Sequence, residues 1–272
     1  MNQSVAPLPD PLPKRINLGC GYDIRVGYLN VDLQAKHSPD LVADATRLPM
    51  LPSGHFEEIL AQDVLEHLER ARTQPALDEW ARLLVPNGIL IVRVPSLLDM
   101  FEMLSTPAWR EFEKAQEVVH LMYGTQAYTG DYHLTGFTPA LLDGYLRRAG
   151  LLICEASLRD GWLFDIRARK TDCLESAAEF VHGAYFKLLG RPADPAGLAH
   201  AHRMLESGKL TRDSFENSLR ESEEGLFVAD NPSYLARHRG RLRDLPVGTT
   251  MMRKARSVVR RLVTRAGLKR PS

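Results

Sequence analysis

The chain has 272 residues, 44% hydrophobic and 25% charged, which is ordinary for a folded globular protein and enough for one large domain plus a smaller one. No apolar run approaches the roughly 20 residues that cross a bilayer. The net charge of +1 is unevenly distributed: residues 237–270 contain twelve Lys/Arg and one acid, whereas the remainder has 23 basic and 33 acidic residues. This excess of acidic residues excludes a nucleic-acid-binding surface over the body of the protein.

In chain order, residues 1–13 form a Pro-rich leader without the basic-then-apolar pattern of a signal peptide, so we expect a cytoplasmic protein. A short apolar strand at residues 15–20 then runs into Gly19 and Gly21, one residue apart. Asp32 ends a second strand near residues 28–33. A glycine turn followed by a strand-end carboxylate is typical of nucleoside binding, because bare backbone approaches the ligand and the acid binds ribose hydroxyls.

The next elements continue an alternating pattern. Residues 41–43 and 56–61 are predicted strands, and residues 62–68 are predicted to begin a helix. The pattern over residues 73–85 predicts a helix with Thr73 as its N-cap and Pro75 in its first turn. Residues 89–94 are almost continuously β-branched, which predicts a strand buried on both faces.

Residues 96–123 are predicted to be mostly helical with a break at Pro107, and a helix follows from Thr138 to Gly150. Two strands, residues 151–157 and 162–168, flank a hairpin-type turn at Asp160. Strands that alternate with helices and end in a hairpin predict a Rossmann-like α/β fold: a mostly parallel sheet with an antiparallel C-terminal hairpin.

Six motifs in this region occur in order, and together they carry a family resemblance. They are residues 17–21 (Asn-Leu-Gly-Cys-Gly), 30–32 (Asn-Val-Asp), 44–49 (Asp-Ala-Thr-Arg-Leu-Pro), 63–67 (Asp-Val-Leu-Glu-His), 84–90 (Leu-Val-Pro-Asn-Gly-Ile-Leu) and 136–139 (Gly-Phe-Thr-Pro). The series resembles the class I S-adenosylmethionine-dependent methyltransferases, and most of all the bacterial branch associated with surface-polysaccharide genes. The resemblance implies a methyltransferase domain over residues 14–170.

The resemblance also implies the residues that hold S-adenosylmethionine. The turn cradles the methionine end, the acid of the second strand binds ribose, the acid of the third strand reaches adenine, and the end of the fourth strand lines the methyl-donor pocket. In this sequence the implied residues are Gly19, Cys20, Gly21, Asp32, Leu33, Asp44, Ala45 and Asp63.

The sequence departs from the family pattern at the first turn. Asp23 stands where a third glycine is frequent, and Asn17 stands where an acid is frequent. Only about seven residues separate Gly21 from the second strand, fewer than the dozen that a parallel crossover usually needs. We therefore expect the first crossover helix to be reduced to about a turn.

Methyl transfer to a hydroxyl needs a group that accepts its proton. The candidates are His67, one helical turn after Asp63, and His133, in a glycine-flanked polar loop after the fifth strand. Asp131 and Tyr132 are alternatives to His133, and packing or capping is the competing interpretation for both histidines. The three cysteines show no metal-ligand spacing and Cys20 has no Cys or His beside it, so no metal site is predicted.

After residue 170 the composition changes. Helices predicted over residues 180–190, 194–208 and 211–222 form a small all-α domain at residues 174–230, similar to a bacterial domain related to phycobilisome-linker repeats, with Asp194 as a helix cap. In the tail, residues 231–272, the pattern over residues 251–266 predicts a basic amphipathic helix. This helix could lie on an anionic membrane surface, bind a partner protein or pack on the acidic body.

We therefore expect a methyltransferase that O-methylates a sugar or glycan-linked acceptor in cell-surface polysaccharide biosynthesis, with S-adenosylmethionine as cofactor. It would be cytoplasmic, with peripheral attachment at the inner membrane face through the tail. The alternative is a catalytically degenerate cofactor fold that acts as an adaptor for glycan-assembly enzymes.

Overall fold

The computed structural model describes residues 8–126, 130–171, 176–191 and 193–230. The predicted amphipathic helix at residues 251–266 and the rest of the tail lie outside the described residues, as does Cys173. None of the helices in the described part of the chain has the length and apolar character needed to cross a membrane.

Seven strands form one sheet in the order β3-β2-β1-β4-β5-β7-β6. The strands are β1 Arg15–Leu18, β2 Leu29–Asp32, β3 Leu41–Val42, β4 Phe56–Gln62, β5 Leu84–Pro95, β6 Leu151–Arg159 and β7 Leu163–Lys170. The pairs from β3 through to β5 are parallel, and β7 runs antiparallel to both β5 and β6. This arrangement confirms the predicted Rossmann-like sheet with its C-terminal hairpin.

The prediction that β5 is buried on both faces is wrong. Leu90, Val92 and Val94 are buried, but Ile91 and Arg93 between them are only half-buried. The face that they share with β4, β6 and β7 carries ion pairs, such as the one between Arg159 and Asp165. Because no helix lies in the short, fully described connections β1–β2 and β3–β4, this face of the sheet stays open to solvent, and polar side chains alternate along it.

Helices connect the later strands. They are α1 Arg70–Leu83, α2 Leu97–Ser105, α3 Phe112–Tyr123 and α4 Pro139–Arg148, and a 3-10 turn at Pro107–Trp109 marks the predicted break. Residues 62–68 form a 3-10 turn, Leu65–His67, rather than the start of a long helix. Thr73 is not an N-cap: α1 begins at Arg70, and Thr73 is fully buried inside it. Burial of the helix face that includes Thr73 and Leu77 outweighs the single hydrogen bond that Pro75 removes.

The C-terminal helices form their own hydrophobic cluster around Phe180, Val181 and Phe215. They are α5 Ala177–Leu189, α6 Pro195–Glu206, α7 Arg212–Glu221 and α8 Glu223–Asp230, the last of which was not predicted. Asp194 caps α6 by accepting from the Gly197 N–H, as predicted. The helices join the sheet through α5, whose Phe186 stacks edge-on against Phe164 of β7, with ring centroids 5.2 Å apart. The predicted domain boundaries stay predictions.

Candidate functional site

The predicted site residues lie where the parallel strands end. The glycine turn follows β1, Asp32 is the last residue of β2, Asp44 follows β3 and Asp63 follows β4. The carboxyl ends of parallel strands share one edge of the sheet, and ligands of open α/β sheets bind at that edge. The order β3-β2-β1-β4 therefore places these four features side by side.

The turn after β1 leaves no room for side chains at its first glycine. Gly19 has a φ of +61°, and a Cβ atom there would lie 2.6 Å from Cγ2 of Val64. Gly21 also has a positive φ, +50°, but a Cβ atom there would meet nothing within 4 Å. Cys20 lies between the two glycines. Burial, and to a lesser extent the charge of Asp32, raises the pKa of its thiol to about 11, so Cys20 is unreactive at neutral pH.

Asp32 holds the glycine turn and the following loop together. Its Oδ2 accepts from the Gly21 N–H at 2.8 Å, and its Oδ1 accepts from the Gln34 N–H at 2.7 Å. Nδ1 of the buried His37 lies 3.0 Å from the same Oδ1. A carboxylate has about four lone-pair sites, so Asp32 keeps acceptor capacity beyond these contacts. Leu33, the next residue, is exposed.

An amide network replaces the missing first crossover helix. Buried Asn17 donates to the Asp23 carbonyl at 2.8 Å and to Oδ1 of Asn30 at 3.2 Å. Asn30 in turn accepts from the Arg25 N–H at 2.9 Å and donates to Asp40 at 2.9 Å. Sequence reasoning missed this network and identified Asn17 only as a departure from the family pattern. The side-chain amides satisfy the loop backbone that a helix would otherwise satisfy internally.

Asp44 is bound by protein groups on both oxygens. Oδ1 accepts from the Thr46 N–H at 2.9 Å, and Oδ2 pairs with Arg72 of α1. Burial raises the pKa of Asp44, but the Arg72 and Thr46 hydrogen bonds outweigh it and hold that pKa below its usual value. The neighbouring Ala45 carbonyl accepts from Trp80 Nε1 at 2.8 Å, which fixes this turn against α1.

Asp63 adopts a left-handed backbone with a φ of +56° and forms a two-pronged ion pair with Arg93 of β5. Its own N–H donates to the Arg93 carbonyl at 3.0 Å. The carboxylate is thus fixed at the junction of β4 and β5. Left-handed backbone at a residue other than glycine is uncommon and concentrates at functional sites.

The two candidate histidines come together, although 65 residues separate them in sequence. The rings of His67 and His133 lie edge to face with centroids 4.8 Å apart. His67 Nδ1 is 3.1 Å from the Tyr132 carbonyl, and His133 Nδ1 is 2.9 Å from the Leu121 carbonyl. Burial, and then the neighbouring His67, lower the pKa of His133.

Glu66 completes this cluster and was not among the predicted site residues. Its side chain is 2% exposed, and its Oε2 has no hydrogen-bond partner. Burial, and secondarily the charge of Asp63, raise the pKa of Glu66 well above its usual range. The signal available in the sequence was its place between Asp63 and His67 in the fourth motif.

Comparison with known families decides the class of the protein. Residues 10–92, which contain the glycine turn, Asp32, Asp44 and the Asp63 motif, match the family model described as "Methyltransferase domain". Over residues 10–92 the chain is therefore similar to methyltransferase domains. The protein is accordingly an enzyme, and S-adenosylmethionine is its methyl donor.

Several solved structures are similar to somewhat more than half of this chain. One is the 1,6-didemethyltoxoflavin-N1-methyltransferase of Burkholderia thailandensis with bound S-adenosylhomocysteine, at 16% identity over 58% of this chain and 71% of that one, with a TM-score of 0.39. Others are S-adenosylmethionine-dependent methyltransferases of Methanosarcina mazei (16% identity, 58% and 92% covered, TM-score 0.42) and Mesorhizobium loti (17%, 59% and 94%, 0.40). No curated protein matched the sequence.

Proposed function

We propose that this methyltransferase methylates a hydroxyl oxygen of a sugar or glycan-linked acceptor. The observation that carries the proposal is the His67–His133 pair beside the end of β4, with rings 4.8 Å apart. A hydroxyl becomes a competent nucleophile when its proton is withdrawn, and imidazole lone pairs are suited to activate it near neutral pH.

The glycine turn and the strand-end acids would hold the cofactor. The backbone of Gly19, Cys20 and Gly21 would approach its methionine end, and Asp32 with Leu33 would contact its ribose side. Asp44, Ala45 and Asp63 would border the adenine and the methyl-donor pocket. When bound, S-adenosylmethionine supplies an electrophilic methyl group. The close packing of Gly19 on Val64 favours this assignment, because it keeps the turn free of side chains.

The hydrogen bonds of the histidines determine which nitrogen is available. A backbone carbonyl only accepts, so a proton sits on Nδ1 of both rings, and the neutral imidazoles carry their lone pairs on Nε2. Exposed Tyr132, next to His133, offers a flat apolar surface to a sugar ring. These features support hydroxyl activation at this pair.

The glycan assignment is supported by the resemblance of the six ordered motifs to the polysaccharide-associated branch and by the C-terminal helical domain. The tail is proposed to hold the enzyme at the inner membrane face, since residues 237–270 carry twelve Lys/Arg and one acid. Flotation with anionic liposomes, with and without residues 237–272, tests the tail; equal flotation of both proteins would contradict it.

Transfer of labelled methyl groups into cell-envelope glycan fractions tests the acceptor. The wild type is expected to label a glycan fraction, and His133→Asn is expected to lose that labelling while S-adenosylhomocysteine binding persists. His200→Asn, at an exposed position of α6, is the matched control and should retain transfer. Label that appears only in protein or in amines would contradict the proposal.

A further inference from the structure

Three side chains from two distant parts of the sequence converge next to the cofactor-binding edge. Glu66, His67 and His133 each offer one potential ligand atom, and these atoms all lie within 4.8 Å of one another. Metal–nitrogen and metal–oxygen bonds of about 2.0 to 2.2 Å allow ligand atoms to be up to about 4.4 Å apart. The three atoms would thus have to move closer together to bind one ion.

Both histidines are oriented as metal ligands are. In metal sites the second ring nitrogen of a ligating histidine almost always donates to a carbonyl, a carboxylate or water, which fixes the tautomer. Here Nδ1 of His67 donates to the Tyr132 carbonyl and Nδ1 of His133 donates to the Leu121 carbonyl. Each ring therefore presents an Nε2 lone pair.

Glu66 supplies an independent indication of a ligand. Its side chain is buried, and Oε2 lacks any hydrogen-bond partner. Leaving a buried carboxyl oxygen unpartnered is costly, and buried charges are usually paired or coordinate a metal. The nearby Asp63 is engaged by Arg93 and so stays out of the donor set.

The backbone holds the three residues in place. The Glu66 carbonyl accepts from the Leu134 N–H at 2.7 Å and the Thr135 N–H at 3.1 Å. The Thr135 hydroxyl donates to the Leu68 carbonyl at 2.8 Å. The loop that carries His133 is thereby fixed to the 3-10 turn that carries Glu66 and His67, which is the preorganisation that a metal site requires.

We propose that Glu66, His67 and His133 bind a divalent metal ion. Two imidazoles and one carboxylate suit first-row ions such as Mn²⁺, Fe²⁺ or Zn²⁺, and three protein ligands leave coordination positions open. The ion's chemical role rests on the proposed function and replaces direct proton abstraction by imidazole, because metal-bound Nε2 atoms no longer offer lone pairs. The acceptor hydroxyl would bind at an open position and lose its proton to water, and its oxygen would form the new bond to the methyl carbon as the carbon–sulfur bond of the cofactor breaks.

Titration of the full chain with Mn²⁺ and with Zn²⁺, by calorimetry and by loss of the electron paramagnetic resonance signal of free Mn²⁺, tests the site without any acceptor. One ion per chain is expected for the wild type and for His200→Asn. Glu66→Gln, His67→Asn and His133→Asn should each weaken binding by more than about 100-fold, because even loss of an outer partner costs roughly 10- to 100-fold. Retained S-adenosylhomocysteine binding verifies that each variant is folded. His67 is half-buried, so His67→Asn should disturb the fold least of the three variants.

Absence of Mn²⁺ and Zn²⁺ binding in the wild type, or equal binding in the three variants, would overturn the metal site. The two proposals fail separately. If hydroxyl methylation persists in chelator-treated enzyme, the proposed catalytic role of the metal is excluded and the acceptor proposal remains. A bound ion without transfer to any glycan does the reverse.

Discussion

The backbone of Gly19 passes so close to Val64 that a Cβ atom on Gly19 would lie 2.6 Å from Cγ2 of Val64. This contact joins the turn after β1 to the residue that follows Asp63 at the end of β4. It therefore couples the position of the glycine turn to the position of the Asp63 motif, and both border the proposed methyl-donor pocket.

Gly19→Ala is expected to lower the free energy of unfolding by about 2 to 4 kcal/mol, because overpacking adds to the strain of a positive φ. S-adenosylhomocysteine binding should fall with it. Gly21→Ala is the matched control: its φ is also positive but the space is open, so about 1 to 2 kcal/mol is expected. Urea unfolding compares the two, and equal losses would show that the Val64 contact is unimportant.

Asn17→Asp would place the acid that is frequent in the family into this particular turn. We expect it to destabilise the protein by roughly 3 kcal/mol, since a buried carboxylate would face the Asp23 carbonyl and Asn30 Oδ1, two acceptors. Asp23→Asn changes only an exposed side chain and should cost less than about 0.5 kcal/mol. A stable Asn17→Asp protein would mean that the amide network is dispensable.

Asp32→Ala should weaken S-adenosylhomocysteine binding by roughly 10- to 100-fold. The change removes a ribose acceptor and leaves the Gly21 and Gln34 N–H groups without their partner, and charged hydrogen bonds contribute about 1.5 to 3 kcal/mol each. Calorimetry measures the affinity, with Asp23→Ala as the control. Unchanged affinity would exclude Asp32 as a cofactor ligand.

Glu179→Gln is expected to reveal a pH-dependent link between α5 and the sheet. Burial raises the pKa of Glu179, but hydrogen bonds from Ser176 and Arg169 outweigh it and lower that pKa below the ordinary 4.5. The ion pair between Glu179 and Arg169 thus stabilises the fold above pH 4.5, and this stabilisation disappears as the pH falls through the lowered pKa of Glu179.

At pH 7 the variant should lose about 2 kcal/mol of unfolding free energy, and the deficit should shrink as the pH decreases below 4.5. Exposed Glu206→Gln is the control and should show no such trend. Denaturant unfolding across this pH range supplies the measurement. A deficit that does not vary with pH would contradict the role of the charge.

The features that were predicted correctly from the sequence depend on short-range sequence patterns. Strand-end acids, glycines after strands and the caps at Thr138 and Asp194 depend on neighbouring residues, so the sheet class, most elements and the methyltransferase resemblance could be read directly. The short span between Gly21 and β2 predicted a crossover helix of about one turn, and the structure has no helix there. The prediction for Thr73 was wrong, because whether this residue caps a helix or lies within one depends on which face of α1 packs inward.

Only the tertiary structure decided how distant side chains meet. Burial of Ile91 depends on whether a helix covers that face of the sheet, and β-branched residues suit a half-covered strand as well as a buried one. The contact between His67 and His133, and the burial of Glu66 beside them, arise because the loop after α3 returns to the end of β4. The sequence by itself determined the fold class, and its resemblance to a known family implied the methyl donor. The convergence that forms the proposed acceptor and metal site depends on long-range packing, which no local spacing encodes.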